Sequence, residues 1–200
     1  MEKCLFGDYR FKVSMKNKRL LEELLENLSK DYDKKFTPIL EADVVGYLYY
    51  LWISKMGDAR KIHLDTRICG FKNSKFDFVV GDVNFSAGRP CIKPELVIEV
   101  KSFPTGFTIQ QHEVHYIHVI EDDIPKLGKL KESSDDRYIL LFDEDDYLKG
   151  FDRKSKSSRI DKILSTRNII DSRIKVKVIW VNEEGGSSGG KYFNGESRLL

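Results

Sequence analysis

Apolar positions along this chain follow two periods. Between residues 16 and 31, Leu20, Leu21, Leu24, Leu25 and Leu28 recur at helical spacing, which predicts an amphipathic helix with a leucine face for the core. Pro38 fits the start of a second helix running to about Lys55, with a stripe of Glu41, Val44, Val45, Leu48, Leu51 and Trp52; Gly57-Asp58 ends it. The period then shortens to two. Ile62, Leu64, Thr66 and Ile68 alternate with His63, Asp65 and Arg67, the pattern of a half-buried strand. Strands are expected near 75–81 and 95–102, joined by a loop or extended connector from Gly81 to Pro94, where turn formers collect. Pro104-Thr105-Gly106 breaks the chain. A helix over 109–132 follows, interrupted at Pro125, with Ile117, Ile120, Ile124, Leu127 and Leu130 on its core side. A short strand at 138–142, a helix at 160–170 and a strand at 174–181 complete the pattern. Residues 1–183 thus read as one domain. The Gly185–Gly190 run and the rest of 184–200 read as a flexible linker and tail. Helices around a central sheet, in this order, predict a mixed α/β fold.

Two of the strands carry charges that an apolar core does not explain. Lys75-Phe76-Asp77-Phe78-Val79-Val80 contains a carboxylate, and Glu95-Leu96-Val97-Ile98-Glu99-Val100-Lys101 contains Glu-x-Lys. Burying unpaired charge costs several kcal/mol as an order of magnitude. Period-two geometry places Glu99 and Lys101 on one face, with Leu96, Ile98 and Val100 on the other. In the preceding strand it groups Phe76, Phe78 and Val80, with Asp77 opposite. Side by side, the two strands bring Asp77 and Glu99 to one spot beside Lys101. Two carboxylates, a carbonyl and waters form an oxygen-rich site suited to Mg²⁺ or Mn²⁺. A neighbouring ammonium can orient a water or stabilise an anionic transition state. Glu41, on the apolar face of its helix near the N-terminus, reads either as a complement to the helix dipole or as a further carboxylate aimed at the sheet.

Asp77 and Glu99-Val100-Lys101, with Glu41 on an upstream helix, resemble the PD-(D/E)XK nuclease superfamily over most of residues 38 to 181. The string Pro94-Glu95-Leu96-Val97-Ile98-Glu99-Val100-Lys101 is similar to bacterial and archaeal members. Phe76 stands where a proline often precedes the aspartate. Gln110, Gln111 and Tyr116 miss the RecB-like spacing by one residue. The resemblance implies a restriction-endonuclease-like mixed β-sheet with an α-β-β-β-α-β core. It also implies a metal-dependent nuclease, endonuclease rather than exonuclease, that cuts phosphodiester bonds to leave 5′-phosphates. Asp77, Glu99 and the Val100 carbonyl would hold Mg²⁺ or Mn²⁺, with Glu41 joining the same or a second ion and Lys101 acting in the transition state. Gln111, one turn into the next helix, reads either as an ordinary exposed glutamine or as a residue that steers a phosphate. Two alternatives are a catalytically silent nuclease-fold module for nucleic-acid binding or assembly, and an RNA endonuclease of the cap-snatching type. The second usually has a histidine on the upstream helix, and residues 38–55 contain none.

Composition narrows the partners. The 200 residues are 40% hydrophobic and 33% charged with a net charge of +2, so the chain has no global basic field, and a nucleic-acid surface must be a local patch. The basic, Ser-rich stretch with Arg153, Lys154, Lys156 and Arg159 is the candidate phosphate contact. DNA is expected ahead of RNA, with no membrane, and a second copy of the chain stays open as a partner. Cys4, Cys69 and Cys91 are scattered, which speaks against a disulfide framework or zinc site and for a cytoplasmic protein. His112, His115 and His118 do not share a helical face and read as surface or groove residues. Asp143-Glu144-Asp145-Asp146 reads as a solvated acidic loop.

Overall fold

The computed structural model describes residues 3–32, 35–71, 74–86, 89–130, 134, 136–152, 156–180 and 191–194; for 3–16, 86 and 191–194 it gives the backbone course alone. Its elements are α1 (Lys3–Asp31), α2 (Glu41–Met56), β1 (Ile62–Arg67), β2 (Lys75–Ser86), β3 (Arg89–Phe103), α3 (Ile109–His118), a π turn (Val119–Asp123), α4 (Ile124–Gly128), β4 (Asp136–Asp143), the small hairpin β5 (Phe151–Asp152) and β6 (Ser157–Ser158), α5 (Arg159–Asp171), β7 (Lys175–Trp180) and β8 (Lys191–Asn194). A six-stranded sheet runs in the order β1-β2-β3-β4-β7-β8. The β1, β2 and β3 strands pair antiparallel, β3, β4 and β7 pair parallel, and β8 returns antiparallel on β7. Parallel pairs need crossovers. The helical stretch from α3 to α4 supplies the first, and α5 the second.

Helices cover both faces. On one, Leu21, Leu24, Leu25 and Leu28 of α1 and Val44, Leu48 and Trp52 of α2 pack on Phe78, Leu96, Ile98, Val100 and Leu140. On the other, Val119, Ile124, Leu127 and Ile163 pack on Val97, Phe103, Ile139, Leu141 and Val178. The α/β architecture and the split of β3 into two faces agree with the sequence pattern. No helix among the described residues is long and apolar enough to cross a membrane.

Four expectations are corrected. Gly81–Ser86 and Arg89–Pro94, expected in a loop or extended connector, instead continue β2 and β3 as paired strands, with a register shift between Val80 and Gly81. Gly81 suits that bulge because a Cβ there would meet the Lys93 carbonyl. Lys191–Asn194, expected in the tail, forms a strand of the sheet. Cys69 and Cys91 form a disulfide, brought together where Ile68 bridges Ile92. Finally, Asp143 and Glu144 are buried. The Asp143 carboxylate accepts the N–H groups of Tyr147 and Leu148, both at 3.0 Å, and the Trp180 indole N–H at 3.1 Å. Glu144 accepts the Thr105 N–H at 2.8 Å. Asp143 thus ties down the turn after β4, and Glu144 ties that turn to Thr105 after β3.

Candidate active site

The site forms where β2 and β3 part. Their ladder ends at Phe78↔Ile98, so the next step of the register would face Asp77 with Glu99. Beyond it the Asp77 carboxylate takes the place of a backbone acceptor, receiving the Val100 N–H at 2.8 Å. A strand residue sends its N–H and C=O to the same side. The Val100 carbonyl therefore opens on the Asp77 side too. β1 is irregular at the same level: Asp65 has φ of 42°, while Leu64 and Thr66 on either side still pair with Phe78 and Phe76. Phe76 accordingly packs in the α3–α5 core and Phe78 in the α1–α2 core. This corrects the strict alternation expected for Phe76, Phe78 and Val80.

Glu99 is 3% exposed, with Lys126 Nζ 2.8 Å from its Oε1, at ion-pair distance but off the hydrogen-bonding direction. Burial pushes the Glu99 carboxyl well above the usual range, and the Asp77 charge adds to this against the pull of Lys126. Lys101 lies 3.2 Å from Glu41. Burial alone would lower its ammonium, but Glu41, Asp123 and Asp77 outweigh that and raise it above an ordinary lysine. Glu41 opens α2, where the Asp43 carboxylate caps the helix by accepting the N–H groups of Ile39 at 2.9 Å and Leu40 at 2.8 Å. The Glu41 carboxylate lies 3.5 Å from the Ser102 N–H and 3.5 Å from His115 Nδ1, which donates to the Ser102 carbonyl at 2.9 Å. Glu41, Lys101, Ser102 and His115 line a groove of about 500 Å³ whose rim includes Leu40 and Val114.

The structure thus brings Asp77, Glu99 and Val100 together and joins Lys101 to Glu41. Two residues missed in the sequence stand among them. Asp123, 8% exposed, comes from the π turn, and Lys126 follows it one turn later. Burial raises the Asp123 carboxyl against the pull of Lys101 and Lys126. Asp123 lies between Ile120 and Ile124 of the apolar stripe, the same cue that singled out Glu41. Pro125, which cannot donate a helical hydrogen bond, accounts for the π turn.

Other candidates have different jobs. Gln111 completes a capping box on α3: its Oε1 accepts the Thr108 N–H at 2.8 Å while Thr108 Oγ1 accepts the Gln111 N–H at 3.2 Å. The exposed Gln111 side chain thus serves α3 as a helix cap. Arg159, expected to meet phosphate, is half-buried and already engaged by protein groups. Its guanidinium lies 4.0 Å over the Tyr147 ring, donates to the Tyr147 carbonyl at 3.2 Å and stands 3.8 Å from Glu113. Lys156 is exposed in a turn with φ of 54°, and Arg153 and Lys154 lie outside the described residues. His112 is buried, stacks on Tyr147 and lies 3.4 Å from Asp145. Among the described residues, no group of three or more His, Cys, Asp or Glu side chains forms a ready-made metal cage.

No protein-family model and no curated protein matches the chain. Among solved structures it is similar to Pyrococcus furiosus SfsA in complex with Ca²⁺, at 16% identity and a TM-score of 0.32, over 76% of this chain and 62% of that one.

Proposed function

We propose that the protein is a metal-dependent phosphodiesterase of the PD-(D/E)XK type acting on nucleic acid, DNA ahead of RNA. The observation that carries this reading is the parting of β2 and β3 at Phe78↔Ile98, which leaves Asp77, Glu99, Val100 and Lys101 at one opening in the sheet. The donor chemistry fits a hard divalent cation. Burial and the neighbouring Asp77 charge both raise the Glu99 carboxyl, and the Val100 carbonyl adds a neutral oxygen. Those three groups would hold Mg²⁺ or Mn²⁺, with Glu41 acting through Lys101 and the Ser102 N–H. When bound, such an ion polarises a phosphate and lowers the pKa of a water.

The remaining work falls to this chain's own groups. The Val100 N–H fixes the Asp77 carboxylate before any ligand arrives. Glu41 keeps Lys101 charged and aimed at the groove, where the ammonium can stabilise charge developing on a pentavalent phosphorus. His115, bonded to the Ser102 carbonyl, buttresses Glu41. One observation favours a catalytically silent nucleic-acid-binding module instead: Glu99 already carries an ion-pair partner in Lys126.

The deciding experiment incubates the protein with plasmid DNA, single-stranded DNA, flap DNA and RNA, with Mg²⁺ or Mn²⁺, beside Glu99→Ala. Cleavage lost in the variant supports the enzyme. Binding of nucleic acid without cleavage of any substrate supports the silent module.

A further inference from the structure

The carboxylate nest already contains a cation. The Lys126 ammonium stands 2.8 Å from Glu99 Oε1, donates to the Lys75 carbonyl at 3.1 Å and lies 5.0 Å from the centre of the Phe76 ring. Asp123, on the same helical stretch, is 3.9 Å away. We propose that Lys126 is a resident counter-ion controlling occupancy of this site: a divalent cation reaches Glu99 only by displacing the Lys126 ammonium, which then moves onto Asp123. The inference rests on reading Asp77 and Glu99 as metal ligands, and adds what competes for them.

Charge balance argues for it. Among the described residues, the ammonium groups of Lys101 and Lys126 are the cations that act on the Glu41, Asp77, Glu99 and Asp123 carboxylates. Lys101 is committed to Glu41 at 3.2 Å. Lys126 pairs closely with Glu99 and stands farther from Asp123, which Lys101 also draws on. A metal ion bonded to a Glu99 oxygen at about 2.0–2.6 Å would stand within about 5 Å of that ammonium, and like charges at such range in a buried place repel strongly. Both cannot keep the same carboxylate. The existing pair is also imperfect, because the nine-tenths-buried Glu99 Oε1 has no aligned hydrogen bond. Asp123 offers the displaced ammonium a second acceptor one turn back along the helix. A side-chain rotation thus suffices, with no backbone movement.

Calorimetric titration of the full chain with MnCl₂ tests this. If Lys126 holds the site closed most of the time, Lys126→Met should bind Mn²⁺ about ten- to a hundredfold tighter than wild type. Glu99→Gln in the same background should remove the gain, and Lys126→Arg should bind no tighter than wild type. Equal or weaker binding by Lys126→Met, beside a wild type that binds, overturns the role of Lys126 and leaves the metal site standing. Absence of Mn²⁺ binding in both proteins overturns the metal site and the inference together. A measurement on the unaltered protein guards against a variant that does not fold. Acylation of Lys126 by an amine-reactive ester, read by peptide mass spectrometry against exposed Lys30, should accelerate several-fold at saturating Mn²⁺. Unchanged labelling there overturns the displacement.

Discussion

Lys101 is held by Glu41 and drawn on by two further carboxylates, so its charge is secure and its position fixed. If that charge acts on the transition state, Lys101→Ala should lower turnover about 10²-fold while Mn²⁺ affinity measured by calorimetry is largely kept. Retained activity would reduce Lys101 to a partner of Glu41. Asp143 supplies a prediction about pH. Burial pushes its carboxyl up to about 6 in spite of the N–H groups of Leu148, Tyr147 and Trp180. The folded state therefore holds the proton more tightly than the unfolded chain, and stability falls as pH rises from about 4 through about 6, levelling above. Urea unfolding at steps across that window should show the fall in wild type, on the order of 2 kcal/mol, and a flatter profile in Asp143→Asn. Parallel profiles would contradict it. At this scale the sequence was informative wherever a charge interrupts an apolar strand, since period two leaves Asp77, Glu99 and Lys101 few places to go. It was silent about Asp143, whose N–H donors become neighbours only once the turn after β4 has formed.

Among the elements, α3 and its continuation bear local signals that only partly specify their shape. Thr108 and Gln111 sit three apart at the start of an apolar-periodic run, and the capping box they form was readable there. Gln111→Ala should cost about 0.5–2 kcal/mol in thermal or urea unfolding, the range for a lost cap, with cleavage unaffected; a large loss of activity at unchanged stability would return Gln111 to the phosphate path. The Pro125 interruption was legible, but the π turn it induces was not, and that turn is what aims Asp123 at the site. The extended pairing of β2 with β3 was hidden for a related reason. Gly81, Gly88, Pro90 and Pro94 are turn formers in isolation, whereas in the sheet Gly81 is a bulge, and pairing resumes at Gly81↔Pro94. Tertiary pairing overrode local preference.

For the molecule as a whole, the layer order and the covering of both sheet faces followed from hydrophobic periodicity. The disulfide and the last strand did not, because both depend on pairings between segments whose local composition is that of loops. β8 has a consequence for colloidal behaviour. β7 reads Lys175-Val-Lys-Val-Ile-Trp, and its backbone donors and acceptors on one side are satisfied by Lys191–Asn194. At the opposite edge of the sheet β1 is bent by Asp65 and flanked by the Lys75–Asp65 ion pair, a poor template for another chain. Without β8, β7 would present an unpaired, largely apolar edge of the kind that recruits strands from other molecules. A chain ended after Trp180 should therefore self-associate at concentrations where the full chain does not, as read by size exclusion with light scattering. Lys191–Asn194 acts on this reading as a solubility guard.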